Sequence, residues 1–141
     1  MARLRHHAGM QQGRIHPTAC IDAQARLGER VEIGAYAIIG AHVRIGDDCV
    51  IGPHAVLEGP LALGAGNILA AHVTLGLAPQ DSAYRGEPTR LEIGTGNCFR
   101  EFVTVHRAST KEEGVTRIGN DNLLMAYSHV GHDGRIGSGI T

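Results

Sequence analysis

Three histidines, His106, His129 and His132, stand close together late in the chain, and the last is followed directly by Asp133. An imidazole is the side chain whose ordinary pKa lies nearest neutrality, so it can take a proton from a weakly acidic hydroxyl without first being activated. The trio admits three readings: a general base with helpers, a metal site, or solvated surface residues. A base needs support. Asp133 can hold the ring of His132 only if a corner of the backbone falls there, because consecutive strand residues point to opposite faces. The backbone N–H near Gly131 is a candidate donor to a developing oxyanion. The other histidines, His16, His54 and His72, are expected to share one face with the trio further along the molecule as surface residues. His42, His6 and His7 take no role.

What must position these groups is a repeat. From Ile15 an Ile or Leu recurs every sixth residue through Ile21, Leu27, Ile33, Ile39, Ile45, Ile51, Leu57, Leu63, Leu69 and Leu75. The fifth position of each hexad is small or apolar, from Ala19 through Val31, Cys49 and Ala55 to Val73, with Asn67 the exception. The second position is often Gly, which is expected to supply the permissive backbone of a sharp bend. Each hexad therefore reads as a short strand and a corner. Three hexads close a triangular coil of about eighteen residues, and stacked coils bury a shared core, which gives an all-β parallel β-helix of about six coils.

The phase returns at Ile93, Phe99 and Val105 and slips by one at Ile118, Leu124, Val130 and Ile136. Residues 76–92 (GLAPQDSAYRGEPTRLE), one coil's worth of chain, and 110–117 (TKEEGVTR) are expected to project as loops. With coils starting at Ile21, Ile39, Leu57, Leu75, Ile93 and Ile118, the residues Val105 and Val130 fall on one face of neighbouring coils. His106 and His132 are then expected to stack as neighbours, with His129 at the corner beside them. Asn97 and Asn122 are expected to form a buried amide pair. Residues 1–14 read as a flexible leader and 15–141 as the repeat domain. The final hexad opens a coil that is not completed.

Formal net charge is −1 and aromatics make up 4% of residues. That implies no nucleic-acid partner, and no apolar run is long enough for a membrane span. The basic start lacks the apolar core of a secretory signal. Cys20, Cys49 and Cys98 are odd in number and widely spaced, which fits neither a disulfide framework nor a zinc knuckle and points to the cytoplasm.

Two resemblances bear on function. Hexapeptide prisms similar to the gamma class of carbonic anhydrase bind zinc through a pair spaced H-x-x-x-x-H, whereas His129-Val130-Gly131-His132 has only two residues between. Closer is a second family. Gln80-Asp81, Tyr84, Gly86-Glu87-Pro88-Thr89-Arg90, Val103-Thr104-Val105-His106-Arg107, Asp121-Asn122-Leu123-Leu124-Met125 and His129-Val130-Gly131-His132-Asp133 together resemble the UDP-N-acetylglucosamine 3-O-acyltransferases of lipid A biosynthesis. The resemblance implies a homotrimer of left-handed β-helices, with sites in clefts between subunits and no cofactor. Such an enzyme moves an (R)-3-hydroxyacyl group from acyl carrier protein to the 3-hydroxyl of UDP-N-acetylglucosamine.

By position, His132 becomes the general base and Asp133 its support, His106 and His129 line the sugar and donor site, and Asp81 contacts the sugar. The family usually carries a lysine between Gln-Asp and Tyr of the loop. Here Ser82-Ala83 intervene, and Arg85 is the expected substitute cation. The family's remaining coils and helical C-terminal domain are expected to be absent, which leaves a non-catalytic trimeric scaffold or nucleotide-sugar-binding remnant as the alternative. Basic residues from Arg85 to Arg135 interleave with glutamates, so charge alone does not single out an acidic carrier partner.

Overall fold

A computed structural model describes residues 13–141. The proposed leader, with His6 and His7, therefore lies almost wholly outside the described residues. Strands of two to four residues wind so that every third strand pairs in parallel, giving two sheets of six strands and one of five. The first sheet runs from Cys20–Ile21 to His129–Val130, the second from Arg26–Leu27 to Arg135–Ile136, and the third from Glu32–Ile33 to Leu123–Leu124. This is the left-handed parallel β-helix of a hexapeptide solenoid.

The two inward positions of each hexad fill the prism. Ile33, Ile39, Ile45, Ile51, Leu57, Leu63, Leu69 and Leu75 are buried, as are Ala37, Val43, Cys49, Ala55 and Val73 at the fifth position. Asn67, Asn97 and Asn122 continue that fifth-position column as a one-way ladder of amides, in which Asn122 donates to Oδ1 of Asn97 and Asn97 donates to Oδ1 of Asn67. The expected pair is thus a triad.

The glycine expectation needs correction. Left-handed corner residues are mostly not glycine but the fourth residue of a hexad, such as Tyr36, His54, His72, Phe102, Tyr127 and Asp133, with φ near +60°. Second-position glycines are required for room instead. A Cβ on Gly34 would lie 2.7 Å from the nitrogen of Pro53, and one on Gly46 2.7 Å from that of Ala65, both in the next coil.

The coil assignment also changes at Ile93. Partners in the first sheet are 18 residues apart at Cys20↔Ile38, 30 apart at Thr74↔Thr104 and 25 apart at Thr104↔His129. Subtracting the regular 18 leaves insertions of 12 and 7 residues. Twelve is two whole hexads, so Ile93 keeps its phase yet lands on the second sheet beside Leu63, with Ile118 above it. Period six fixes the phase within a hexad but not which of three faces the hexad occupies. Val105 and Val130 do share a face, and it is that of Leu75. Seven is one hexad plus one, which is the slip seen at Ile118.

Both insertions leave at the corner between the first and second sheets. The longer spans residues 78–89, between the strands Thr74–Leu77 and Arg90–Ile93, and the shorter spans 107–114, between Thr104–His106 and Val115–Ile118. The longer is narrower than expected because strand pairing continues past the last regular hexad position, whereas the shorter has the expected length but begins and ends three residues earlier. Gly76 launches the longer loop at a break in register between Leu75 and Leu77, where φ is +87° and a Cβ would sit 2.0 Å from the carbonyl oxygen of Glu58.

Candidate functional site

In the next coil the same corner carries the turn from His129–Val130 to Arg135–Ile136, which contains His132 and Asp133. Three successive coils thus bring the long loop, the short loop and the histidine turn together at one edge.

Asp133 has φ +64°, a left-handed value that Asp tolerates better than most residues. The corner that the sequence argument required is therefore present. It turns the carboxylate back so that Oδ2 meets Nδ1 of His132 at 2.8 Å. The same oxygen accepts from the hydroxyl of Ser109 at 2.5 Å and from its backbone N–H at 3.3 Å. The Asp133 N–H donates to Oγ1 of buried Thr116 at 2.9 Å. Burial alone would raise the Asp133 carboxyl, but the bonds from Ser109 and His132 outweigh it and hold the group below its ordinary value. An ionised carboxylate accepting from Nδ1 keeps the ring proton there and leaves Nε2 of His132 free to act as base.

His106 and His129 are ring neighbours, edge to face with centroids 5.0 Å apart. The pairing Thr104↔His129 and Val105↔Val130 sets this contact, so His106 stacks with His129 rather than with His132 as expected. The cause is a difference of one place: His106 follows Val105 directly, whereas Gly131 separates Val130 from His132. His129 is further fixed by Nδ1 against the Thr104 hydroxyl at 2.8 Å. Burial holds the pKa of His106 below its ordinary 6.5, with the neighbouring His129, His132 and Arg107 adding to the effect. His106 Nδ1 and Asp133 Oδ1 are buried without a hydrogen-bond partner among the described residues. Leaving such atoms unpaired is costly, and the pattern suits a site that completes its hydrogen bonds with a polar ligand.

His16, His54 and His72 do not share this face. His54 and His72 lie at the opposite corner, between the third and first sheets, in a continuous stack Tyr36–His54–His72–Phe102–Tyr127 with ring spacings of 4.8–5.3 Å. His16 bonds Thr18 in the first described coil. Among the described residues no three His, Cys, Asp or Glu side chains are grouped so as to hold a metal ion.

In the long loop, Asp81 accepts from the backbone N–H of Ala83 at 3.0 Å, and Lys111 of the short loop meets it at 3.1 Å. These two contacts, in that order, hold its carboxyl below the ordinary range. Arg85 turns back on its own loop, donating to the carbonyls of Ser82 and Tyr84. Gly131 lies between the two histidines, where an added Cβ would make only an ordinary 3.8 Å contact with Nε2 of His129, so nothing steric demands glycine there.

Ser109 and Thr116 went unnoticed in the sequence, and Arg107, though part of the Val103–Arg107 motif, had no individual role there. Ser109 and Thr116 act across the 7-residue insertion, which no periodic argument crosses. Arg107 donates to the Gly76 carbonyl at 2.8 Å, pairs with Glu58 at 3.1 Å and sits over the ring of Tyr84, tying down the base of the long loop.

A triangular solenoid with histidines at an insertion-bearing corner defines a class. Residues 42–76 match the bacterial transferase hexapeptide (six repeats) family. The chain is similar to these hexapeptide-repeat proteins in fold and in sequence. Within them, its relatives are the UDP-N-acetylglucosamine O-acyltransferases. It is 58% identical over 125 residues to the acyl-[acyl-carrier-protein]–UDP-N-acetylglucosamine O-acyltransferase of Halorhodospira halophila, covering 89% of this chain and 48% of that protein. The Paraburkholderia phymatum counterpart is 55% identical over 127 residues, with coverage of 90% and 48%. Among solved structures, the UDP-N-acetylglucosamine acyltransferase of Bacteroides fragilis superposes with a TM-score of 0.88 at 40% identity, over 91% of this chain and 50% of that one. That of Francisella novicida gives 0.86 at 34% identity, over 89% and 46%. The chain spans about half the length of the curated relatives it matches.

Proposed function

We propose that this chain carries the general-base site of an acyltransferase that moves an (R)-3-hydroxyacyl group from acyl carrier protein to the 3-hydroxyl of UDP-N-acetylglucosamine, the first step of lipid A biosynthesis. The observation that carries the reading is the His132–Asp133 pair, buttressed by Ser109 at the corner where both loops emerge. Nε2 of His132 takes the proton of the sugar hydroxyl as its oxygen attacks the thioester carbonyl. The tetrahedral intermediate then expels the carrier's thiolate, which takes up the proton, and an ester remains on the sugar. No covalent acyl-enzyme is needed, and buried Cys49 is in no position to form one. His106 and His129 line the sugar and donor site, Asp81 contacts the sugar, and a backbone N–H near Gly131 stabilises the oxyanion. The reaction places the chain in the cytoplasm.

A homotrimer fits the unequal faces of the prism. The second sheet presents Arg26, Arg44, Glu92, Arg117 and Arg135 outward in register. The corner between the third and first sheets instead exposes Tyr36, Ile38, Ile68, Phe102, Met125 and Tyr127, an apolar strip suited to other copies of the chain.

The test is incubation of the purified chain with UDP-N-acetylglucosamine and a panel of 3-hydroxyacyl carrier proteins, followed by mass analysis of the nucleotide sugar. An added 3-hydroxyacyl ester is expected. A folded trimer that binds UDP-N-acetylglucosamine but forms no ester on any carrier would favour a non-catalytic scaffold or nucleotide-sugar-binding remnant.

A further inference from the structure

We infer that Lys111 is a positioning residue of the acceptor site: it clamps the long loop to the His132–Asp133 turn and neutralises Asp81 so that a nucleotide diphosphate can approach. The inference rests on the acyltransferase reading above. Lys111 is the only lysine among the chain's 13 Lys and Arg residues. Its ammonium reaches both oxygens of Asp81, at 3.2 Å to Oδ1 and 3.1 Å to Oδ2. The side chain of Asp81 is 8% exposed and that of Lys111 61%, so the carboxylate is largely covered while the cation faces solvent.

Apart from Lys111, the side chain of Asp81 is held only by Ala83 of its own loop among the described residues. Lys111 is itself anchored, its N–H donating to the Ser109 hydroxyl at 3.1 Å, and that hydroxyl donates to Asp133. Residues 109–111 therefore run from one carboxylate of the site to the other. An ion pair whose cation stands in solvent contributes little to stability, so its value lies in position and charge.

Asp81 and Asp133 bring two negative charges to the site, and the nucleotide sugar brings a diphosphate. Arg107 is committed to Glu58 and the Gly76 carbonyl, and Arg85 to its own loop. Lys111 is thus the cation that offsets Asp81, and as a flexible ammonium it can shift from the carboxylate toward phosphate when the ligand arrives.

The experiment measures UDP and uridine binding to the full chain by competition, in wild type, Lys111→Gln and Lys111→Arg, at two salt concentrations. UDP affinity is expected to fall about tenfold in Lys111→Gln, worth about 1.4 kcal/mol. Uridine affinity should stay unchanged, the loss should shrink at high salt, and Lys111→Arg should recover most of it. In turnover, KM for UDP-N-acetylglucosamine should rise by the same factor while kcat and the KM for the acyl carrier hold. Equal losses for UDP and uridine, or no loss for either, would overturn the inference while leaving the acyltransferase reading intact. A wild-type chain that binds neither UDP nor UDP-N-acetylglucosamine would overturn both.

Discussion

Replacing Asp133 with Asn tests the site at its hinge. Asn tolerates the left-handed φ of +64° and keeps the side chain's shape, so the corner survives. What changes is charge and acceptor count. Oδ2 now receives His132 at 2.8 Å and the Ser109 hydroxyl at 2.5 Å, both charge-assisted. Such bonds contribute about 1.5–3 kcal/mol each, against about 0.5–1.5 for neutral ones, so weakening two of them should cost roughly 2–3 kcal/mol of stability. The effect on catalysis depends on the amide. With its oxygen toward His132 the imidazolium formed in the transition state loses its counter-charge, and about 2 kcal/mol lost there slows turnover about 30-fold. With its nitrogen there, the ring proton is forced onto Nε2 and the base is lost, an effect on the order of 10⁴ in kcat in comparable pairs. Urea denaturation, kcat and the ¹⁵N shifts of the His132 ring read the three consequences separately. A kcat within about threefold of wild type, or a neutral wild-type ring protonated on Nε2, would refute the reasoning.

Three further outcomes follow from other parts of the molecule. Phe102→Glu or Tyr127→Glu should leave the fold intact, since both side chains are exposed, but reduce the mass seen by light scattering from that of the proposed trimer to that of a monomer; a trimeric mass unchanged in both variants would contradict an interface on this strip. The folded His106 has a pKa below 6.5, so between that value and 6.5 the unfolded chain binds more protons and stability falls as pH falls. Above 6.5 His106 contributes no slope, and His106→Gln should flatten the acid side of a urea-stability profile. Asn97→Ala removes bonds to Asn67, Gly119 and Asn122 from a buried ladder and should destabilise the chain by about 3–5 kcal/mol, with little loss expected if solvent reaches the ladder.

Much of this was legible because the solenoid writes its geometry into a six-residue period. The inward columns, the buried Asn97 and Asn122, the common face of Val105 and Val130, and the loops flanking the histidines all follow from counting. Counting fails where the insertions begin. A 12-residue insertion preserves the phase, so Ile93 could not be assigned to its sheet, and the bonds of Ser109 and Thr116 to Asp133 cross a 7-residue insertion that carries no period. The glycine error has another origin: second-position glycines and left-handed corners recur with the same spacing, and only atomic distances separate a demand for room from a demand for positive φ. The missing loop lysine directed attention along the sequence to Arg85, whereas the chain meets Asp81 from a different coil with Lys111.

The central claim is that His132 is the base, and the most direct measurement compares ester formation by wild type and His132→Ala, with light scattering and circular dichroism confirming the same folded assembly. The account predicts that turnover falls by at least about 10²-fold, the lower range for removing a general base, while UDP-N-acetylglucosamine still binds. A folded His132→Ala variant that turns over like the wild type would contradict it.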